Sequence, residues 1–278
     1  MDETKYSELI ANIQKKRRWV IIWSFIATAA IFLATEPLEI RVMGDMILDW
    51  QGLSPVLGVI LILISCIVEV FAYAAVSMPL TTSLDIECDP EKQLILNMHF
   101  DKGKKLHHVY ATDYMYLGRY EEAILYANEM IKSPKDQMVL AGLYTRARCE
   151  FFLGQYEMFR QTAAAYEDKL VSCQNMKAQT KLMYQKISRA MFLMFMLSQN
   201  DYQRINELRF GVEPWNNSKA TEGFVQYIKG VAAFQVGDRE EAIYRLRYVK
   251  DNCSKTVLAP LGVPAIEYFL EIKKKTGG

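Results

Sequence analysis

The chain has 278 residues and a formal net charge of +1, so neither a basic stripe for nucleic acid nor a charge excess suited to an acidic partner is present. Its hydrophobic content of 51% hides a strong asymmetry, because apolar residues concentrate between Trp19 and Met78 and the rest reads as soluble helical protein. The five cysteines (Cys66, Cys88, Cys149, Cys173 and Cys253) are odd in number and show no C-x-x-C spacing, which argues against a disulfide framework and suits a reducing cytoplasm.

Residues 1–18 form a polar segment that ends in Lys15-Lys16-Arg17-Arg18. Trp19 to Thr35 follows with 17 positions and no charge, just enough at about 1.5 Å per residue to cross a bilayer core. Trp19 and Trp23 stand where indole rings favour the headgroup layer. A cleaved signal peptide is the rival reading, with Ala27-Thr28-Ala29 as its small-residue site. The polar region before it is long for that role, and a second apolar segment follows at once. That segment covers 54–78, and its centre, VILILISCIV, is apolar on every face. Pro55 lies near its start and Pro79 marks its end. Between the two spans, a short loop over 36–53 carries Arg41 against Glu36, Glu39, Asp45 and Asp49. The basic cluster before the first span is expected to stay in the cytoplasm, placing this loop outside and returning the C-terminal region to the cytoplasm. Glu69 is the one carboxylate inside the second span. It is either an intramembrane proton, cation or helix-contact site or a group close to the cytoplasmic interface, and the second reading is preferred.

Residues 80–103 read as a connector and a first short helix, in which Asp89 caps, Pro90 takes the first helical position and Glu91 meets the positive end of the dipole. From there to Lys275 apolar positions recur at helical period, with breaks at Gly103, Ser133-Pro134, Ser172, Asn200-Asp201, Gly211 to Pro214 and Asn252 to Lys255. Three strings align: LGRYEEAILYANEMI from Leu117, LGQYEMFRQTAAAYE from Leu153 and VGDREEAIYRLRYVK from Val236. A weaker fourth, SQNDYQRINELRF, starts at Ser198. Gly118, Gly154, Asn200 and Gly237 then mark the repeat, at steps of 36, 46 and 37 residues. Each is expected at a helix end in the left-handed conformation that glycine adopts most readily. Ala123 and Ala242 are small where paired helices cross.

These strings resemble tetratricopeptide repeats, whose helical hairpins turn at a G-x-Y-x-x-A pattern and end near a proline. Gly118, Tyr120, Ala123 and Pro134 carry the likeness in the first repeat, and Gly237 and Ala242 in the last, with Gly230 and Ala232 at small positions of its first helix. The second keeps Ala147, Gly154 and Tyr156 but has Phe159 in place of alanine. The third replaces glycine by Asn200, and its longer spacing implies an extended first helix. The expected fold is therefore all-α: a transmembrane hairpin over 19–79, then a solenoid of about four helical hairpins over 104–278, closed by a capping helix from Leu258 to Lys275. An irregular helical bundle is the alternative.

The resemblance implies a concave groove lined by the first helix of each hairpin. Carried over by position, it presents Lys105, His108 and Thr112, then Tyr144, Arg148 and Phe151, then Phe224, Tyr227 and Val231. The same residues also suit packing between hairpins. His107 and His108 cannot share a helix face, no zinc-ligand spacing joins them, and no nucleophile or phosphate-loop motif occurs. Neither catalysis nor a cofactor is expected. The expectation is a scaffold at the cytoplasmic face of a bacterial plasma membrane that binds a protein or peptide. The alternative is an accessory subunit that joins a transporter or sensor through its spans.

Overall fold

The computed structural model describes residues 3–35, 38–42, 45–50, 55–100, 106–173, 176–208 and 218–262. The chain divides into two compact units, one ending at Leu80 and the other beginning at Thr81.

The first unit opens with a short 3-10 turn (Glu3–Tyr6) that runs into α1 (Ser7–Thr35). The chain then forms a two-stranded antiparallel hairpin, β1 (Leu38–Val42) and β2 (Asp45–Trp50), before α2 (Pro55–Ser77). The hairpin lies within the stretch expected as a short loop over 36–53 and adds two strands to it. Both helices are long and apolar enough to cross a membrane, and neither apolar window is buried within the protein. Phe25, Leu33 and Phe71 are all at least 70% exposed, whereas an apolar core helix of a soluble protein would hide such side chains. At one end of the pair the Arg17 guanidinium donates to Ser77 Oγ at 2.7 and 3.1 Å and lies 4.9 Å from the Tyr73 ring. That level fixes the register of α1 against α2.

Among the described residues of the second unit the regular elements are all helices. The stretch expected as a connector folds as α3 (Pro79–Glu87) and α4 (Pro90–Phe100). Pro79 starts α3 because the first helical position needs no N–H. Cys88 takes φ +52° between them, and Asp89 Oδ1 accepts the Lys92 N–H at 3.0 Å, the expected N-cap. Four helical hairpins follow: α5 (His107–Tyr116) with α6 (Tyr120–Ile131), α7 (Asp136–Phe152) with α8 (Tyr156–Ser172), α9 (Ala178–Ser198) with α10 (Tyr202–Glu207), and α11 (Lys219–Val236) with α12 (Arg239–Asn252).

All four turn positions expected from the sequence are left-handed: Gly118 (φ +76°), Gly154 (φ +71°), Asn200 (φ +58°) and Gly237 (φ +81°). The residue after each donates its N–H back to the helix it has left, from Arg119 to Tyr114 O, Gln155 to Glu150 O, Asp201 to Met196 O and Asp238 to Ala233 O, at 2.9–3.0 Å. This is the bond pattern of the Schellman cap. Ala123 and Ala242 are fully buried at their helix crossings, and at Gly142 a Cβ would stand 2.8 Å from Ala127 O. The third hairpin has the long first helix, α9 at 21 residues, but α10 lasts only 6.

One apolar core runs through the four hairpins, with Phe159, Tyr166, Leu140, Leu193 and Phe224 among its buried side chains. Each contributes on the order of 1.5–3 kcal/mol by leaving water. The turns after α12 return to the first helices of this unit. Val257 N–H donates to Tyr116 O at 2.8 Å, and Lys255 Nζ reaches the almost fully buried Asp89 carboxylate at 2.5 Å. A final helical turn covers 258–262, and the remainder of the expected capping helix lies outside the described residues.

Candidate functional site

On α5, His108, Thr112 and Tyr116 follow at four-residue spacing, and on α7 Tyr144 and Arg148 do the same, so each set forms a stripe on one helix face. The two stripes border a cavity of about 250 Å³. Met183, Tyr184 and Ile187 of α9 form a further wall, Ser218 and Thr221 stand at the start of α11, and Leu84 and the exposed Asp85 of α3 also border it.

Arg148 is the cation of this cavity, only 3% exposed. Its guanidinium lies 3.9 Å from the Phe224 ring centre, 4.8 Å from that of Tyr116 and 5.3 Å from that of Tyr144. Three aromatic faces replace part of the hydration that the charge has lost. Arg148 Nε and the hydroxyls of Tyr116 and Tyr144 make no hydrogen bond of good geometry among the described residues, but the guanidinium lies close enough to both hydroxyls to interact with them. Burial works against the Arg148 charge, but the adjoining Tyr116 and Tyr144 hydroxyls outweigh it and hold the guanidinium above its ordinary value. Burial pushes the Tyr116 phenol up to about 12 and raises that of Tyr144 as well. Burial, assisted by His107, lowers His108 below its ordinary value. Near neutral pH these four groups are therefore one positive guanidinium, two un-ionised phenols and a neutral imidazole, and Asp85 also borders the cavity.

His108, Thr112, Tyr144 and Arg148, four of the residues carried over from the repeat resemblance, meet at this cavity. Lys105 lies outside the described residues. Phe151 packs against Phe152, Tyr156 and Phe159 in the core, a correction to its place on the groove. Its ring faces α8, where Tyr156 and Phe159 stand. Phe224 is fully buried and reaches the site only through the face it offers Arg148. Tyr227 packs against Phe152 at 6.1 Å, and Val231, half-buried, does not line the cavity. Tyr116 was missed, although one more four-residue step beyond Thr112 reaches it. The α9 wall was missed because its Met- and aromatic-rich sequence reads as core.

In the first unit, Ser24 Oγ donates to Glu69 Oε2 at 2.5 Å. Glu69 precedes the end of α2 by 8 residues, so it sits about 12 Å along the helix from that end. The carboxylate is thus two turns inside the helix and has a partner on α1.

No family model matches the chain, and no curated protein or solved structure matches it.

Proposed function

We propose that this protein is a membrane-anchored interaction module: α1 and α2 span a bilayer, and the helical unit binds a protein or peptide partner at the face where α5, α7 and α9 meet. The observation that carries the reading is the Arg148 cavity, a concave site that holds a buried cation among aromatic rings. The sequence likeness of the four hairpins to tetratricopeptide repeats supports it, since that family binds partners on the face formed by its first helices. The exposed apolar faces of α1 and α2 support the anchor. The basic cluster at 15–18 supports an N-terminus and helical unit on the cytoplasmic side, and we propose the plasma membrane as the site. Anchoring would raise the effective concentration of a bound partner at the membrane.

A photo-crosslinking residue tests this in the full-length chain in cells. Placed at Thr112, which lines the cavity, it should trap a discrete partner; placed at Leu125, exposed on the outer helix α6, it should not. Equal products at both positions, or none at Thr112, would sink the reading. The accessory-subunit alternative draws on Glu69, and the Ser24 bond weakens it by giving that carboxylate a partner within the chain.

A further inference from the structure

We propose that Cys88 and Cys253 are a peroxide-oxidisable thiol pair, and that the disulfide they form locks the end of the last hairpin to the helices that precede the first. The inference stands apart from both the binding face and the membrane anchor.

Cys88 joins α3 to α4, and Cys253 directly follows α12. Far apart in sequence, they meet in one apolar core, where each is at most 1% exposed. The two thiols are within hydrogen-bonding reach of one another. The surrounding structure holds them there. Lys255, close after Cys253, reaches the carboxylate of Asp89, which directly follows Cys88. In the thiol form Cys253 Sγ donates to Lys219 O at 3.5 Å. A Cβ on Gly223 would overlap Cys253 Sγ, so the glycine leaves that sulfur its place. Cys88 itself takes the left-handed φ of +52°, uncommon for a residue with a side chain. The other buried cysteines differ: Cys149 and Cys173 have charged side chains, not a second thiol, as their titratable neighbours.

The chemistry follows from this pairing. Their shared hydrogen bond lowers the Cys253 thiol below its ordinary value and raises that of Cys88. Cys253 is therefore the attacking thiolate and Cys88 the resolving thiol. Hydrogen peroxide is the oxidant that fits, because it is close to water in size and the sulfurs are buried. The Cys253 thiolate attacks one peroxide oxygen: an S–O bond forms, the O–O bond breaks, and hydroxide leaves as water with the proton that Cys253 released. Cys88 then attacks the sulfenic sulfur: an S–S bond forms, the S–O bond breaks, and the hydroxyl leaves as water with the Cys88 proton. Each sulfur loses one electron and the peroxide gains both. A bridge between such distant positions closes a long loop, which is where a cross-link restricts the unfolded chain most.

The test treats the full-length chain in detergent micelles with a small excess of hydrogen peroxide, alkylates the remaining thiols in denaturant and maps the digest by mass spectrometry. A peptide linking Cys88 to Cys253 should be the main intramolecular product, with Cys149 and Cys173 alkylated. The oxidised chain should melt several degrees higher than the reduced one. Cys88→Ser removes the resolving thiol and should leave Cys253 as a sulfenic acid that dimedone captures. Should that variant fail to fold, the map of the native chain decides alone. Cys88 and Cys253 both alkylated after peroxide, or oxidised to sulfinic acid without a link, would overturn the pair. A link that leaves the melting temperature unchanged would overturn the lock.

Discussion

Asp113 is completely buried, and its carboxyl accepts a hydrogen bond from Gln93 Nε2 at 3.2 Å while Oδ2 has no partner. Gln93 in turn accepts the Leu84 N–H at 3.0 Å, so this network joins α3, α4 and α5 behind the cavity. Burial first, and then the charges of Asp85 and Asp89, raise the Asp113 carboxyl well above its ordinary value. The native state therefore holds a proton that the unfolded chain releases near pH 4, and stability falls as pH rises from there toward the folded value, by up to about 1.4 kcal/mol per unit. Asp113→Asn keeps an acceptor for Gln93 and cannot ionise. Its melting temperature should vary less between pH 4 and 8 than that of the native chain; an unchanged profile would remove Asp113 from the account. A second residue-scale outcome concerns the turns. At Gly154 a Cβ would meet nothing within 4 Å, so Gly154→Ala should cost only the left-handed backbone, about 1 kcal/mol. At Gly118 it would stand 3.0 Å from Val257 Cγ2, and Gly118→Ala should cost about 1 kcal/mol more in denaturant unfolding. These turns were legible because a left-handed residue leaves a direct mark on composition, and even Asn200 fits that mark as the residue most tolerant of the conformation after glycine. The burial of Asp113 and Arg148 was not legible. A single sequence shows which residues share a helix face but not whether another helix brings them a partner.

At the scale of elements, the α1–α2 pair is joined by two polar contacts at different depths, Arg17–Ser77 at the end and Ser24–Glu69 about two turns in. Both apolar segments could be read directly from length and hydropathy, since a bilayer imposes a length that few soluble helices meet with so little charge. Their register could not, because it depends on which small polar residue faces the carboxylate. The strands β1 and β2 were also missed; they are short, and Glu39, Arg41, Asp45 and Asp49 make their sequence look like an ordinary loop. The Ser24–Glu69 bond yields an asymmetric expectation. Ser24→Ala strands a carboxyl between two apolar helices and should destabilise the pair by about 0.6–2 kcal/mol. Glu69→Leu removes the polar group itself and should be neutral or stabilising. Unfolding of the full-length chain in mixed micelles measures both. A large loss for Glu69→Leu, or its failure to assemble with another membrane protein, would instead favour the accessory-subunit role.

At the scale of the whole helical unit, an open row of helical hairpins and a closed one differ in how they come apart. When each repeat touches only its neighbours, stability is a sum of local terms and the ends fray independently. Here Lys255 pairs with Asp89 and Val257 donates to Tyr116 O, so the end of the last hairpin supports the helices that precede the first. The periodicity announced hairpins and their order but not this return, which is set by small rotations at each crossing and by contacts more than a hundred residues apart. The return also explains why Phe224, expected on an open groove, is buried against Arg148 instead. Lys255→Met tests the closure. It keeps most of the aliphatic stem but leaves the buried Asp89 carboxylate, which also caps α4, without its cation. The loss should be about 1–3 kcal/mol. Native-state hydrogen exchange on the full-length chain should then show faster exchange in α4 and α5 as well as in α12, since each end would lose the other's support. Acceleration confined to α12 would mean that the ends open separately and that the unit behaves as an open stack of repeats.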